Sequence, residues 1–268
     1  MHPGGHETRA DKIARASAEA WQYLLEAIPG GRAWHSGGAL AVITGVDLSG
    51  YNGVCGVSNK VEAGTIAMLL EDVASAGVSF CLELRPGWPA EIAELATAHG
   101  LVRVPSEPLM VLEATDRRRT AQQGEGLSIR QLAPDEGYLH AAVVARCFDE
   151  PEEPHRKVMS PEVMQSRGMR VYVGEHHGEV VTTCVGVTIG DCVAIFSVAT
   201  LPSHRRQGYG AAVTARAVSD GFAAGASWAW LSASEQGFGV YEGLGFTTVE
   251  WWDFWEAPAR PVRVAGSP

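Results

Sequence analysis

The chain has 268 residues, of which 46% are hydrophobic and 19% charged, and its formal charge at neutral pH is −10. This length fits one large domain or two ordinary ones of globular type. The acidic balance excludes a general nucleic-acid binder, which needs a basic face, and it is compatible with a cationic or amine substrate. The sequence has neither an apolar run long enough to span a membrane nor the start of a secretory signal, so a cytoplasmic protein is expected.

The cysteines favour the same compartment. Their number is odd and no two form a C-x-x-C pair, which indicates free thiols in a reducing cytosol rather than disulfides or a metal cluster. No metal is therefore expected. Cys147 and Cys184 also lack a neighbouring base in the sequence, which argues against a covalent acyl-cysteine intermediate.

The first half of the chain contains a fainter version of a pattern in the second half. Residues 76–82 resemble residues 224–230, each stretch following an amphipathic helix. Residues 99–101 resemble residues 244–246, each joining a helix end, a glycine and a strand start. Because both matches occur in the same order, an internal repeat is predicted, the alternative being chance similarity between two common units.

A polar stretch without apolar periodicity, residues 113–126, divides the chain nearly in half and is typical of a linker. We predict a first domain at 1–115, a linker at 116–126, a second domain at 127–257 and an irregular tail at 258–268.

The second half alternates strand and helix signals. A short strand at 127–131 precedes a helix that Pro134 opens and a second helix within 154–167. Strands follow at 170–175, 179–189 and 192–199, the last of them apolar on both faces. A helix then begins at residue 207 or 208, with Ala211, Ala215, Val218 and Phe222 on one face, followed by a strand (227–232), a short helix (235–244) and a final strand (246–255). This order predicts a mixed α/β sheet.

The strongest local signal is the segment Arg205-Arg206-Gln207-Gly208-Tyr209-Gly210 between a strand and a helix. The N–H groups and the dipole of a helix start favour a phosphate, glycines let it approach the backbone, and arginines add charge-assisted bonds. A dinucleotide-binding fingerprint is excluded because only one glycine pair is present and Val213 occupies the third small position. A Walker loop is excluded because no Gly-Lys-Ser/Thr occurs.

The context of this segment resembles the GNAT superfamily of N-acetyltransferases. Residues 198–218, VATLPSHRRQGYGAAVTARAV, are similar to its motif A, and residues 234–246, SEQGFGVYEGLGF, to its motif B. The resemblance covers 127–256 and implies a mixed, mostly antiparallel sheet flanked by helices. The whole chain resembles the tandem form, with a degenerate first copy in which 57–62 lacks the glycines and arginines and Ala96 takes the tyrosine position.

The resemblance implies acetyl-CoA as acyl donor and a fourth strand that splays from the fifth, leaving its backbone unpaired. The Val198 N–H would then face the thioester carbonyl, and the turn would carry the diphosphate. The donor-binding residues so implied are Val198, Ala199, Thr200, Arg205, Arg206, Gln207, Gly208, Tyr209, Gly210, Ala211 and Ser234. Tyr241 is the implied acid, since a phenol is protonated at neutral pH and can donate to a thiolate; core packing is the alternative. Ser234 is expected either to contact the pantetheine or to cap the next helix.

The proton acceptor is less defined, because Ala194 stands where some family members carry a glutamate. Glu150, Glu152 and Glu153 lie between the first two helices, where the family builds its acceptor site, and an acidic loop that is merely solvated is the alternative. His140 and His155 are further candidates. Phe148, Glu150 and Trp230 are expected to contact the acceptor. Trp251, Trp252 and Trp255 are predicted to form an aromatic cluster on the last strand, which is expected to line the acceptor site or to pack the sheet or the contact between the halves.

The sequence thus predicts an acyl-CoA-dependent N-acetyltransferase in which a neutral primary amine attacks directly within a ternary complex. The acceptor is a small-molecule or peptide amine, with neither nucleic acid nor membrane as partner, and the protein is a monomer or homodimer. A non-catalytic acyl-CoA sensor or interaction module on the same fold remains the alternative.

Overall fold

The computed structural model describes residues 7–116 and 125–258. Most of the predicted linker and of the predicted tail lies outside these residues. The helices are α1 (Arg9–Glu26), α2 (Ala63–Ala74), α3 (Glu91–Ala98), α4 (Gly137–Phe148), α5 (Glu152–Val158), α6 (Pro161–Met164), α7 (Tyr209–Ala223) and α8 (Glu235–Leu244). The strands are β1 (Arg32–Ser36), β2 (Ala39–Ile43), β3 (Asn52–Gly56), β4 (Cys81–Leu84), β5 (Val102–Glu113), β6 (Leu127–Gln131), β7 (Met169–His176), β8 (Glu179–Ile189), β9 (Cys192–Thr200), β10 (Trp228–Ser232) and β11 (Thr247–Glu256).

The described strands form one sheet in the order β1-β2-β3-β4-β11-β5-β10-β9-β8-β7-β6. The last strand of each half therefore lies in the other half: β5 pairs with β10, and β11 pairs with β4. Without β6, the sheet order has an internal symmetry. The strands β1, β2, β3, β4 and β5 occupy, counted from one edge, the positions that β7, β8, β9, β10 and β11 occupy counted from the other edge. The centre of the sheet, where β5 and β11 pair, is thus shared by the two halves.

Helices cover both faces of this sheet. The first face carries α1, α4 and α5, and its core includes Ile13 of α1 with Val187 of β8 and Trp252 of β11. The second face carries α2 and α3 in the first half and α7 and α8 in the second. Because α1 packs on β8 and β9, the first half covers part of the sheet of the second half.

The element order predicted for the second half is confirmed, with two corrections to its helices. The helix predicted within 154–167 is two helices, because Ser160 caps α6 by accepting from the Val163 N–H and Pro161 follows at the first helical position. In α7 the buried face is centred on Val213, Ala217 and Gly221, whereas Ala211 and Ala215 are half-buried. The predicted face was therefore displaced by about one residue.

Two predictions for the strands were wrong in part. Strand β9 is buried on both faces only as far as Ile195, and Phe196, Ser197 and Val198 are half-buried. The tryptophans of β11 form no single cluster, because side chains of a strand alternate between faces. Trp252 packs in the core under α1, Trp255 packs on the opposite face, and Trp251 is 52% exposed.

One buried ion pair joins the two halves. Arg85, directly after β4, is only 5% exposed. Its Nε and Nη2 donate to the two carboxylate oxygens of Glu250 on β11 at 2.9 and 3.2 Å. Its Nη1 donates to Asp11 of α1 at 2.7 Å and to the carbonyl of Val57 at 3.3 Å. This guanidinium therefore holds α1, β4 and β11 together.

Candidate functional site

The turn between β9 and α7 exposes uncapped helix N–H groups. Arg206 (φ 65°) and Gly208 (φ 79°) both adopt the left-handed conformation, which glycine enters without strain. Gly208 is the N-cap of α7 and offers no side chain to the first turn. The first N–H groups of a 15-residue helix thus lack a side-chain acceptor, an arrangement that suits an anion.

The two arginines of the turn are available to the same anion. Both are exposed, and neither forms an ion pair within residues 7–116 and 125–258. The Nε of Arg205 donates to the carbonyl of Thr200 at 3.1 Å, which fixes the side chain beside the end of β9. Gly210 keeps the path clear, because a Cβ there would lie 3.3 Å from the Thr200 hydroxyl.

A gap opens between β9 and β10 next to this turn. The two strands pair in parallel only from Trp228 to Trp230, opposite residues 192–194, although β9 continues to Thr200. Ser197 and Val198 form a bulge in which two residues stand opposite Cys184 alone, and Ser197 has φ 48°. The bulge places Val198 at the gap, where an extended ligand arm can lie along the unpaired edge of β9.

Tyr241 lies on the second face of the sheet, in the core formed by α7 and α8. It is 8% exposed, and its ring contacts that of Phe246 at 6.1 Å. Gly237, one turn earlier, makes room for it, because a Cβ there would lie 2.9 Å from the Tyr241 ring. Burial is the largest of the effects that raise the pKa of this phenol above its ordinary value, ahead of Cys184 and Glu107. The hydroxyl therefore keeps its proton at neutral pH.

For Ser234 two roles were expected, a contact with the pantetheine or a cap of the next helix, and the structure shows the cap. Its side chain caps α8 by accepting from the Gly237 N–H at 3.3 Å. The role as a helix cap is therefore established by the geometry.

A cavity of about 570 Å³ lies on the first face of the sheet, between the two halves. Its floor is formed by β4, β11, β5, β10, β9 and β8, and its roof by α1, α4, α5 and residues 48–51. Phe148, Glu150 and Trp230, the three residues predicted for the acceptor, all line it. Phe196 and Ser197 line it too, so the cavity reaches the bulge of β9.

Glu150 and His155 form a pair in the cavity wall. A hydrogen bond of 2.9 Å joins His155 Nε2 to Glu150 Oε2, and the imidazole is only 3% exposed. Its Nδ1 has no partner among the described residues. An imidazole oriented by a carboxylate, with its second nitrogen unpartnered, is suited to accept a proton.

Tyr51, from the first half, connects this pair to the bulge. Its ring meets that of His155 edge to face at 6.1 Å, and its hydroxyl lies within hydrogen-bonding reach of the Ser197 side chain. Burial, and after it the charge of Glu150, raises the pKa of Tyr51 to about 12. Tyr51 could not be recognised from the sequence, because it follows a Ser-Gly turn far from either motif.

Three further carboxylates line the end of the cavity next to the first half: Glu83 on β4, Glu107 on β5 and Glu256 on β11. Burial, and after it the charge of Glu107, raises the pKa of Glu83 to about 7. Glu107 accepts from the Ser232 hydroxyl at 2.6 Å. Glu83 had one signal in the sequence, a charge between Leu82 and Leu84 in a strand whose leucines alternate with it.

The other candidate bases lie elsewhere. His140 is fully buried, and its Nδ1 is 2.7 Å from the Thr183 hydroxyl. Burial, and after it His155, lowers the pKa of His140 to about 3, as expected for a core histidine. Glu152 and Glu153 form surface ion pairs with the basic residues one turn later in α5. Only Glu150 and His155 of the five candidates line the cavity.

The comparisons with known proteins assign the second half. Residues 131–246 match the model of the acetyltransferase (GNAT) family, a segment that holds the β9 bulge, the turn and Tyr241. A comparison with curated proteins finds no match. The family match supports an acyl-CoA-dependent acyltransferase. Among the described residues no helix is both long and apolar enough to cross a membrane.

Solved structures share the fold over nearly the whole chain. The chain is similar to a GCN5-related N-acetyltransferase from Kribbella flavida, with a TM-score of 0.68, 21% identity and coverage of 95% of this chain and 97% of that chain. A GCN5-related N-acetyltransferase from Sphaerobacter thermophilus has a TM-score of 0.57, 16% identity and coverages of 94% and 93%. A functionally unknown conserved protein from Staphylococcus epidermidis has a TM-score of 0.63, 11% identity and coverages of 85% and 94%.

Proposed function

We propose that this protein transfers the acetyl group of acetyl-CoA to a primary amine by direct attack in a ternary complex. The observation that carries this proposal is the continuity of three features: the uncapped start of α7, the gap beside β9 and the cavity at Ser197. The anion site, the groove and the acceptor cavity follow one another in space in the same order as the diphosphate, the pantetheine arm and the acceptor amine of the reaction.

The donor would lie along the first two of these features. The diphosphate is bound by the N–H groups from Gly208 to Ala211, with Arg205 and Arg206 on either side. The pantetheine arm bonds to the backbone of Ala199 and Thr200 as an added strand would. The thioester carbonyl then meets the N–H of Val198, which stabilises the oxyanion that forms on attack.

The acceptor amine would enter from the cavity. His155, oriented by Glu150, takes a proton from the ammonium form, and the neutral nitrogen attacks the thioester carbon. A C–N bond forms, the C–S bond breaks, and Tyr241 gives its proton to the departing thiolate. The nitrogen of the adduct loses its second proton to solvent, from which Tyr241 recovers its own. Walls from both halves and a volume of about 570 Å³ favour a small-molecule amine as the acceptor.

We also propose that the chain is a tandem of two GNAT-like copies, at 1–115 and 127–257, of which only the second binds the donor. The sheet order, which reads alike from both ends, supports two copies. In the first copy α2 begins after Glu62, whose exposed carboxylate would repel a phosphate at that helix start. We place the protein in the cytoplasm, which its free cysteines favour.

The donor site is tested by replacing Arg205 and Arg206 together with alanine. We expect the Kd for acetyl-CoA, measured by calorimetry, to rise about 30-fold, because each exposed charge-assisted contact contributes about 1 kcal/mol. The control is Arg216→Ala on α7, the helix that follows the turn; its side chain pairs with Asp220 at 2.9 Å. Acetyl-CoA binding that is unchanged in the double variant would place the donor elsewhere.

The proton path is tested by Glu150→Gln, which keeps the shape of the side chain and removes its charge. We expect kcat at pH 7 to fall about tenfold, because His155 remains but loses the group that orients it and stabilises its charged form. Raising the pH should restore activity as more of the amine becomes neutral. The control is Glu152→Gln, whose exposed carboxylate pairs with Arg156. Equal activity of both variants at pH 7 would remove the pair from the mechanism.

Ala194, fully buried on β9, is the one observation that favours a non-catalytic acyl-CoA sensor, since it leaves no carboxylate at that place on the strand. Thiol release with a panel of small amines separates the two functions. Binding of acetyl-CoA without turnover on any amine would support the sensor.

A further inference from the structure

We infer that Glu83, supplied by the first half, determines acceptor specificity by binding a second cationic group on the amine substrate. The acceptor class is then a dication with an apolar spacer, such as a long terminal diamine. This inference rests on the proposed function only for the reacting end of the acceptor. The binding of the other end stands on the geometry of the cavity.

The position of Glu83 sets the length of the ligand. Glu83 lies on β4, whereas the bulge at Ser197 lies on β9, and the strands between them are β11, β5 and β10. Four strand spacings of about 4.8 Å make the floor of the cavity roughly 19 Å wide between these strands. A ligand held at both ends must span most of this width, so a two-carbon diamine is too short.

The charge at this end of the cavity is not balanced by the protein. The Sγ of Cys81, 3.8 Å from Glu83 Oε1, and the buried Cys55 thiol are its near polar neighbours. Arg85, two residues on, is bonded to Asp11 and Glu250 instead. A buried carboxylate without a cation is costly, and a ligand ammonium would offset that cost.

The remaining charged groups of the cavity are mostly carboxylates. Glu256 lies on β11, beside β4, and Glu107 lies on β5, one strand further along the sheet. Glu150 also lines the cavity, where it pairs with His155. Arg167 also lines the cavity, but it is exposed and lies over the Tyr23 ring at 6.0 Å. An ammonium at the Glu83 end therefore meets carboxylates alone.

Between the charged end and the bulge the lining is aromatic. Trp21 and Tyr23 of α1 face Trp252 and Phe254 of β11 across the cavity. Such rings pack against methylene groups and attract cations at their faces. At the other end of the cavity lies His155, whose buried Nδ1 has no partner among the described residues. A cationic group at one end, a methylene chain in the middle and an amine at the other end fit this lining.

The test compares terminal diamines with n-alkylamines of the same length, using Glu83→Gln and the control Glu71→Gln, an exposed carboxylate on α2. Binding is first measured by calorimetry without acetyl-CoA, with 1,8-diaminooctane against n-octylamine. We expect the unmodified protein and the control to bind the diamine at least about tenfold more tightly. Glu83→Gln should reduce this preference to less than twofold. None of the three proteins should bind 1,2-diaminoethane more tightly than ethylamine, because this diamine is too short to reach both ends.

Turnover is then measured as thiol release with the same amines, expecting the same diamine preference in kcat/KM. Turnover without a diamine preference, or a preference that Glu83→Gln leaves intact, would overturn this inference and leave the proposed function standing. Binding that depends on Glu83 without turnover of any amine would support the inference and contradict the transferase. A preference for amines bearing a free carboxylate, lost in Arg167→Ala, would also overturn it.

Discussion

Replacing Arg85 with methionine is expected to lower the free energy of unfolding by about 3–5 kcal/mol, the cost of leaving buried partners of a charge unpaired. Glu250 is largely buried and would keep its negative charge without the two bonds that it now accepts. Methionine fills a similar volume, so the loss reports the charge and its hydrogen bonds rather than a cavity. Chemical denaturation with one cooperative transition measures it.

Two comparisons sharpen this expectation. Arg103→Met removes an ion pair with Asp253 at 2.6 Å that also joins the halves, but Arg103 is 54% exposed, so the loss should stay below about 1 kcal/mol. Adding Glu250→Gln to Arg85→Met should recover part of the stability, because the unpaired charge is then gone. If Arg85→Met costs no more than Arg103→Met, the buried pair does not hold the halves together.

The ion pair between Arg85 and Asp11 also makes the free energy of unfolding depend on pH in the acid range. The pKa of Asp11 is held at about 2, below its usual 3.8, first by hydrogen bonds from Thr8 and then by Arg85. A lowered pKa means that the stabilisation is complete above about pH 4 and is lost as the pH falls towards 2. In Arg85→Met the Thr8 part of this dependence should remain and the Arg85 part should disappear.

Replacing Tyr241 with phenylalanine is expected to lower kcat about hundredfold, the size typical of a lost general acid, while the KM for acetyl-CoA changes less than twofold. Phenylalanine keeps the ring that packs against Phe246 and the space that Gly237 provides. Because burial raises the pKa of Tyr241, the acid stays protonated throughout the neutral range, and its loss should not alter the acid side of the pH profile.

The matched control is Tyr172→Phe. Tyr172 lies in the same core and is fully buried, with its hydroxyl donating to Asp220 at 3.0 Å. Its loss should lower the melting temperature and leave kcat within twofold. Equal loss of kcat in both variants would show that the Tyr241 effect is one of packing, and an unchanged kcat in Tyr241→Phe would assign the proton donor to another group.

The sequence could predict the turn and the helices of the second half because their signals are local. The turn at Gly208, the start of α7 and the position of Tyr241 each lie within one strand–helix unit, where spacing along the chain equals neighbourhood in space. The gap beside β9 was implied only by the family resemblance, since no residue marks where two strands part. The buried face of α7 was predicted to within about one residue. Small residues such as Ala211 and Ala215 fit both the buried and the exposed side of a helix, so they do not define its buried face sharply.

The contribution of the first half to the cavity could not be predicted, because the cavity walls come from distant parts of the chain. Tyr51 and Glu83 line the same cavity as Glu150 and His155 because β11 pairs with β4. No periodicity in a strand tells which strand it will pair with, so the exchange of β5 and β11 left no trace in the sequence. Glu83 could have been flagged as a charge in a buried strand, but its partners could not.

The exchange of β5 and β11 also constrains how the protein is made. β11 is the last strand of the sheet to leave the ribosome, and β4 of the first half has no neighbour on that side until it does. Neither half can complete its own sheet, so the chain acquires its native structure as one cooperative unit after synthesis rather than half by half. Removing the first half would also remove β5, the strand that borders β10.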